Sequence, residues 1–403
     1  KSGVDMLHVS GGTTIARGSS IPAPGTKMGS HSDCSAEIKK HVSIPVATVG
    51  RITEPWIAEE LIANGKADAC MIGRANLCDP EFSNKARDGR EEEIRPCIGC
   101  LRCLNGIMFG KRVSCTINPS FELENEDTLS PAPEKKNILV IGGGVAGMEA
   151  AFVAKRKGHH VVLCESEGEL GGLALAASVP IGKQDLTRVV KYMKHKLELE
   201  HVEVRLNCTV TKEMLTNEFS GYEVLAGTGA KPVIIPPFTT FKQWMTADDI
   251  LKGKAFPGRK IVIIGGGSVG CETADYLAPI VHDLFPRNRE ITIIEMTKSV
   301  MAGESGPGRS LLVQRMMKKG IQMICNAKVE RVEKDKIYYT KGDLEYCIDD
   351  ADTLVFASGY RPDPSVENML KEANVSYTLI GDAEKPGNLK DAISQGYEVA
   401  KQL

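Results

Sequence analysis

Two segments of the chain resemble each other, and this internal repeat constrains the fold more than any other feature. Residues 136–144 and residues 259–267 each contain a run of apolar residues that ends in three consecutive glycines. A repeat of this kind predicts two copies of one supersecondary unit. In both copies the glycines lie between a predicted buried strand and a predicted helix, as in a phosphate-binding turn. The chain is therefore predicted to contain two nucleotide-binding units.

The first unit has the complete fingerprint of a dinucleotide site. Gly142, Gly144 and Gly147 follow the strand directly, a helix comes next, and a second strand leads to Glu165. The glycines permit a tight turn, close approach of a pyrophosphate and packing of the helix on the strand, while the helix N-terminus favours the phosphate charge. Glu165 can accept hydrogen bonds from ribose hydroxyls. These features together predict a dinucleotide rather than a structural glycine-rich turn.

The second unit repeats this fingerprint. Gly265, Gly267 and Gly270 precede a helix, and the next predicted strand ends at Glu295. A carboxylate at Glu295 would repel the 2′-phosphate of NADPH and suits the free 2′-hydroxyl of NADH. The pattern favours NADH, although the nearby Lys298 leaves NADPH open.

Four of the twelve cysteines lie close together, whereas the other eight occur singly. Cys97, Cys100 and Cys103 are spaced by two residues, and Cys115 follows after eleven more. Thiolates at this density suit an iron–sulfur cluster or tetrahedral zinc. Zinc sites usually have two separated pairs of cysteines, so this spacing favours a [4Fe–4S] cluster, with zinc and unliganded cysteines as the alternatives.

The N-terminal part alternates short apolar runs with helical stretches. The predicted order is strand, helix, strand, helix, strand, at residues 6–9, 35–41, 46–49, 55–64 and 69–72. Such an order requires a parallel sheet. A (β/α)₈ barrel needs about 250 residues and builds its active site at the carboxyl ends of its strands. These residues are therefore predicted to be the C-terminal part of a barrel, and a small open sheet is the alternative.

The composition is that of an ordinary soluble protein. Lys plus Arg (50) nearly balance Asp plus Glu (52), which gives no sign of nucleic-acid binding. The first residues lack the pattern of a signal peptide, and no apolar run reaches the roughly 18 residues of a membrane span. These observations predict a cytoplasmic protein with no membrane partner.

Residues 136–403 resemble the flavoprotein reductases that have two dinucleotide-binding domains. Gly171 and Gly172 match the segment of that family beside the flavin, and Gly381 and Asp382 match the strand end that approaches its ribityl chain. A solvated turn is the alternative for Asp382. The resemblance implies FAD in the first unit and an NADH domain inserted into the FAD domain.

The whole chain resembles the 2,4-dienoyl-CoA reductase and enoate reductase branch of the Old Yellow Enzyme family, to which trimethylamine dehydrogenase is related. The segment 96–100 and the order of the parts carry this resemblance. It implies FMN on the barrel, with its phosphate held near Gly50, Arg51, Gly73 and Arg74. A surface ion pair is the alternative for either arginine. The implied domains are a barrel part at 1–92 and an iron–sulfur segment with a linker at 93–134. They are followed by an FAD domain in two pieces, at 135–235 and 355–403, and an NAD(H) domain at 236–354.

The resemblance implies a reaction and also leaves gaps. It implies that electrons pass from NADH to FAD, to the cluster and to FMN, which reduces an activated carbon–carbon double bond of a small molecule. The alternatives are an amine dehydrogenase with ADP in the first nucleotide site, and an electron-transfer module of a larger assembly. The family's catalytic histidine is absent from residues 12–17, and His8 lies within a strand, so no proton donor is assigned. The missing part of the barrel is an expected partner, and a homo-oligomer is left open.

Overall fold

The computed structural model describes residues 3–12, 21–108, 110, 112–121, 129–278, 289–304 and 307–403. Two compact units are formed. The first contains Lys1–Ala174, Asp185–Gly229 and Pro364–Leu403, and the second contains Leu175–Gln184 and Ala230–Asp363. Strands and helices alternate and form parallel sheets, as the sequence predicted, and the predicted α/β fold class is thereby confirmed.

The first unit begins with a three-stranded parallel sheet. Its strands, in spatial order, are Leu7–Val9, Val46–Thr48 and Ala69–Cys70. Helices Ser32–Lys39 and Pro55–Ala63 connect them, and the proline at the start of the second helix supplies a preset φ where no N–H is needed. The predicted order of strands and helices is therefore present. Shorter helices follow, at Arg74–Cys78, Phe82–Arg87, Glu91–Glu93 (3₁₀) and Arg102–Met108.

A five-stranded parallel sheet forms the rest of the first unit. Its strands, in spatial order, are Tyr377–Leu379, Glu223–Ala226, Asn137–Ile141, His160–Cys164 and Glu203–Arg205. The central strand is almost continuously apolar because helices cover both faces of the sheet. These helices are Val145–Arg156, Asp185–Leu199, Lys212–Thr216, Pro364–Glu372 and Leu389–Lys401, with a 3₁₀ turn at Gly381–Ala383.

The second unit repeats this design around its own sheet. The parallel strands, in spatial order, are Gln322–Ile324, Glu290–Ile294, Lys260–Ile264, Thr353–Phe356 and Trp244–Thr246. Its helices are Ala247–Leu251, Ser268–Leu277 and Pro307–Lys318, with a 3₁₀ helix at Pro236–Thr240. An antiparallel sheet of Ala327–Val332, Ile337–Lys341 and Leu344–Ile348 is added, and Ala230–Pro232 pairs with Tyr360–Pro362.

Each five-stranded sheet places its glycine turn at a topological switch point. The strand before the turn has its sequential neighbour on one side and a strand from much later in the chain on the other. In open α/β sheets, ligands bind in the crevice that this reversal creates at the carboxyl ends of the strands. Within the described ranges, no helix is both long and apolar enough to cross a membrane.

Candidate functional site

The first glycine turn leaves no room for side chains at two positions and open space at a third. A Cβ at Gly142 would lie 2.4 Å from the carbonyl oxygen of Gly227, and a Cβ at Gly147 would lie 1.9 Å from that of Gly142. No atom lies within 4 Å of the equivalent position at Gly144. The turn therefore requires glycine for its own packing, and it presents bare backbone where a pyrophosphate would approach.

Glu165 connects the end of the second strand to this turn. Its carboxylate is buried, and it accepts hydrogen bonds from the backbone N–H groups of Gly143, at 2.6 Å, and Glu167, at 2.8 Å. These bonds hold the carboxylate beside the glycine turn. The side chain is thus fixed where the sequence predicted an acceptor for ribose hydroxyls, and that role stays a prediction.

The two segments that the resemblance assigns to the flavin, Gly171–Gly172 and Gly381–Asp382, lie next to the same turn. The N–H of Gly171 donates to the carbonyl of Gly143 at 2.9 Å, and a Cβ at Gly172 would lie 3.2 Å from the Cα of Gly144. Gly381 has a φ of +62°, and a Cβ there would lie 2.8 Å from that of Ala146 in the helix after the turn. The fold therefore brings together segments that are more than 200 residues apart in the sequence.

Asp382 is placed at the same end of the first sheet. Burial raises the pKa of its carboxyl group, and the N–H of Gly387 opposes this by donating to Oδ1 at 3.0 Å. A partly buried acid is unlike the solvated turn residue that was the alternative. The bare backbone at Gly144 and the fixed acids suit FAD at this site.

The second turn has the same construction. A Cβ at Gly265 would lie 2.4 Å from the carbonyl oxygen of Ala357, one at Gly270 would lie 2.0 Å from that of Gly265, and the space at Gly267 is open. Glu295 accepts from the N–H groups of Gly266, at 2.6 Å, and Thr297, at 2.7 Å.

The charge on Glu295 is stabilised by these contacts. Burial by itself would raise the pKa of its carboxyl group, but the N–H groups of Thr297 and Gly266 outweigh burial and lower that pKa. A lowered pKa keeps Glu295 ionised at neutral pH. An ionised carboxylate at this position is suited to NADH, as the sequence predicted.

The four clustered cysteines line one cavity. Cys97, Cys100, Cys103 and Cys115 share it with Cys78, and Arg74, Leu77 and Thr116 complete part of its wall. The described residues include no group of three or more His, Cys, Asp or Glu side chains placed to hold a metal ion. The spacing predicted that the four cysteines lie close together, and in the structure they line the same cavity.

The thiols in this cavity differ in their surroundings. A hydrogen bond from the Cys78 thiol lowers the pKa of Cys115 to about 6 against the effect of burial, and the N–H groups of Ile117 and Asn118 contribute. Burial raises the pKa of Cys97 to about 11. The Cys100 sulfur lies 3.2 Å from the hydroxyl oxygen of Thr116.

This donor set fits an iron–sulfur cluster. Cluster ligands are thiolates, and hydrogen bonds to their sulfur atoms adjust the reduction potential. Four cysteines around one cavity, with N–H, O–H and S–H groups close to their sulfurs, supply both features. Zinc, the alternative from the sequence, would also take thiolates.

The predicted FMN residues lie at the carboxyl ends of the N-terminal strands. Gly50 has a φ of +126°, and a Cβ there would lie 2.4 Å from the hydroxyl oxygen of Ser30. Three polar atoms near this corner, Ser30 Oγ, His31 Nε2 and Arg51 Nε, are buried without a hydrogen-bond partner in the described part of the chain. Unpaired buried polar groups are costly, so this corner fits a polar ligand.

The two arginines have different partners. Arg51 is buried, forms an ion pair with Asp185 and donates to the carbonyl of Thr26. Arg74 donates to the carbonyl of Pro22 at 2.9 Å and also lines the cysteine cavity. Gly73, before the helix that begins at Arg74, has open space at its Cβ position. The segment 13–17, where the family's histidine is lacking, lies outside the described residues.

Sequence reasoning missed four residues of these sites. Cys78 was one of the scattered cysteines, Thr116 was only the residue after Cys115, and Ser30 and His31 belonged to the loop before the helix predicted at residues 35–41. A signal existed for Thr116, because its hydroxyl group directly follows one of the four clustered cysteines. For the others the fold alone makes the connection.

Two family descriptions match the chain. Residues 136–381 match the pyridine nucleotide-disulphide oxidoreductases, and residues 14–93 match the NADH:flavin oxidoreductase / NADH oxidase family. The first match covers the two glycine turns and reaches Gly381. The second covers two strands of the N-terminal sheet, Val46–Thr48 and Ala69–Cys70, and begins after the strand Leu7–Val9.

Individual proteins are similar over the full length of the chain. Bilirubin reductase of Mediterraneibacter gnavus is 36% identical over 100% of this chain and 62% of the relative. Cinnamate reductase of Clostridium sporogenes is 33% identical over 100% of this chain and 60% of the relative. A solved 2-naphthoyl-CoA reductase complex has 25% identity and a TM-score of 0.91 over 100% of this chain and 60% of the other. The chain thus spans about three fifths of the length of these relatives.

Proposed function

We propose that this chain, which belongs to the pyridine nucleotide-disulphide oxidoreductases and to the NADH:flavin oxidoreductases of the Old Yellow Enzyme type, transfers electrons from NADH to an activated carbon–carbon double bond. The proposed order is NADH at the second glycine turn, FAD at the first, a [4Fe–4S] cluster at the cysteines and FMN at the N-terminal sheet. NADH supplies two electrons together, a cluster accepts one, and a flavin handles both. FAD is therefore needed between NADH and the cluster.

The location of the cysteine cavity carries this proposal. Cys97 and Cys115 pack against the apolar core beside the five-stranded sheet of the first unit, at which FAD is proposed to bind. This core includes Ile138 and Val140. Arg74, at the carboxyl end of the N-terminal sheet, lines the same cavity. An electron carrier in this cavity would lie between the proposed FAD module and the proposed FMN segment, which supports its place in the order.

The side chains have separate proposed roles. Glu165 and Glu295 orient the ribose of FAD and of NADH, and Asp382 approaches the flavin ribityl chain. Arg74 pairs with the FMN phosphate, because a guanidinium can bind phosphate oxygens in a bidentate way. The substrate is an enoate or enoyl type of compound, in keeping with the cinnamate and naphthoyl-CoA reductases. No residue is assigned as proton donor.

Quantifying the cofactors of the purified chain tests this proposal. We expect about four irons per chain, because a [4Fe–4S] cluster requires them, together with extractable FAD and flavin absorbance that NADH bleaches under anaerobic conditions. Cys325→Ser, at a cysteine of the second unit, serves as the control and should retain the iron. Stoichiometric zinc in place of iron would overturn the cluster assignment, and failure of NADH to bleach the flavin would overturn the electron order.

A further inference from the structure

Thr116 contacts a cluster cysteine although it is not a ligand itself. This residue follows Cys115 and is buried, with 8% of its surface exposed. Its hydroxyl oxygen lies 3.2 Å from the sulfur of Cys100. It also lines the cavity that the four cysteines share. The hydroxyl therefore lies against a sulfur atom that the proposed function assigns to the cluster.

This contact differs from the usual use of a threonine hydroxyl. Threonine side chains commonly bond to a nearby backbone carbonyl. Thr216 does so with the carbonyls of Lys212 and Glu213, and Thr239 does so with that of Pro236. Thr116 is instead directed across the loop, to a residue 16 positions earlier.

We propose that the Thr116 hydroxyl donates a hydrogen bond to the Cys100 thiolate and thereby raises the reduction potential of the cluster. A ligating thiolate has no proton to donate, so the hydroxyl must be the donor. Gaining an electron increases the negative charge on the ligand sulfurs, and a donor stabilises that charge more in the reduced form. The electron comes from the flavin after NADH has reduced it. This inference rests on the proposed function, because it requires a cluster at these cysteines.

Thr116→Val is the direct test. Valine keeps the shape of threonine and lacks the hydroxyl, so it removes the donor and leaves the packing. We expect the midpoint potential of the cluster to become more negative by a shift on the order of tenfold in the reduction equilibrium, which is ~59 mV for one electron. The measurement is a redox titration of the purified chain, followed by EPR of the reduced cluster.

Two variants are the controls. Thr116→Ser keeps the hydroxyl and should restore the wild-type potential. Ser120→Ala removes a hydroxyl of the same loop, but that hydroxyl bonds to Asn118 at 3.0 Å rather than to a cysteine, so the potential should not change.

The outcomes separate this inference from the proposed function. Absence of iron from the wild-type chain overturns the cluster itself. A wild-type cluster whose potential is the same in Thr116→Val overturns only the role of Thr116. If Thr116→Val loses iron, Thr116→Ala is titrated in its place, and an unchanged potential there has the same meaning. Loss of iron from both, with retention in Thr116→Ser, would assign the hydroxyl to cluster assembly and reject its effect on the potential.

Discussion

At the scale of single residues, Glu295 is expected to determine the choice of nicotinamide cofactor. Its carboxylate accepts two backbone N–H bonds beside the second glycine turn. Glu295→Arg should raise the KM for NADH by roughly tenfold or more, because a hydrogen bond to a charged group is worth about 1.5–3 kcal/mol. The KM for NADPH should rise less, since an arginine can accommodate the 2′-phosphate. Steady-state reduction of a dye with each cofactor measures both values.

Two further observations control this experiment. Glu295→Gln retains an acceptor oxygen and should have a KM for NADH closer to that of the wild type. FAD content should stay the same in both variants. Loss of FAD from Glu295→Arg with normal affinity for NADH would mean that the two nucleotide assignments are reversed.

The residues that the sequence could predict are those whose role is local. The glycines of each turn are constrained by backbone geometry within a few positions, so their spacing is readable from the chain. Thr116 and Cys78 were not predicted, because their proximity to Cys100 and Cys115 depends on the packing of separate segments. The position of Thr116 next to Cys115 is a local signal, but its contact with Cys100 is not, and the hydrogen bond of Cys78 has no sequence pattern of its own.

At the scale of secondary-structure elements, Gly147 is expected to hold helix Val145–Arg156 against its strand. A Cβ at Gly147 would overlap the carbonyl oxygen of Gly142 at 1.9 Å. Gly147→Ala should lower the free energy of unfolding by about 1–3 kcal/mol, because the backbone has to shift. Bound FAD should be lost with the turn. Urea unfolding of the FAD-free protein and flavin extraction are the measurements.

Gly144→Ala is the matched comparison. Gly144 has a φ of −69° and no atom within 4 Å of its Cβ position, so alanine fits the protein itself. Its free energy of unfolding should stay within about 1 kcal/mol of the wild type. FAD should nevertheless bind more weakly, because the added methyl group occupies the approach of the pyrophosphate. Equal FAD content in wild type and Gly144→Ala would contradict the placement of the flavin at this turn.

The predictability of the elements follows the same physical division. The parallel strands were predictable because burial on both faces gives continuous apolar runs such as Ile138–Val140. The antiparallel sheet from Ala327 to Ile348 was not predicted, since its last strand is largely exposed and has no such run. The return of the chain to the first sheet at Tyr377–Leu379 came only from the family resemblance.

At the scale of the whole molecule, the family resemblance is confirmed by the two matched family descriptions. These matches extend over residues 14–93 and 136–381, well beyond the short motifs. No sequence pattern predicted that Cys97 and Cys115 pack against the core of the five-stranded sheet in the first unit, or that Arg74 lines the same cavity. Under the proposed function, hydride entry and one-electron transfer use separable parts of the chain.

If these parts are separable, a change at one cluster cysteine should leave hydride transfer to FAD intact. Cys103→Ser should lose iron, since one of four thiolate ligands is removed, but it should keep FAD and reduce a two-electron dye with NADH at a rate within about twofold of the wild type. Hydride transfer to FAD needs only the two dinucleotide modules. Cys103 is the suitable position, because Cys97 and Cys115 also pack against the core of the first module. Glu295→Arg should show the reverse pattern, with iron retained and the NADH-driven rate reduced. If Cys103→Ser retained FAD and yet lost dye reduction in proportion to its iron, electrons would have to reach the dye through the cluster, and the two parts would not be separable.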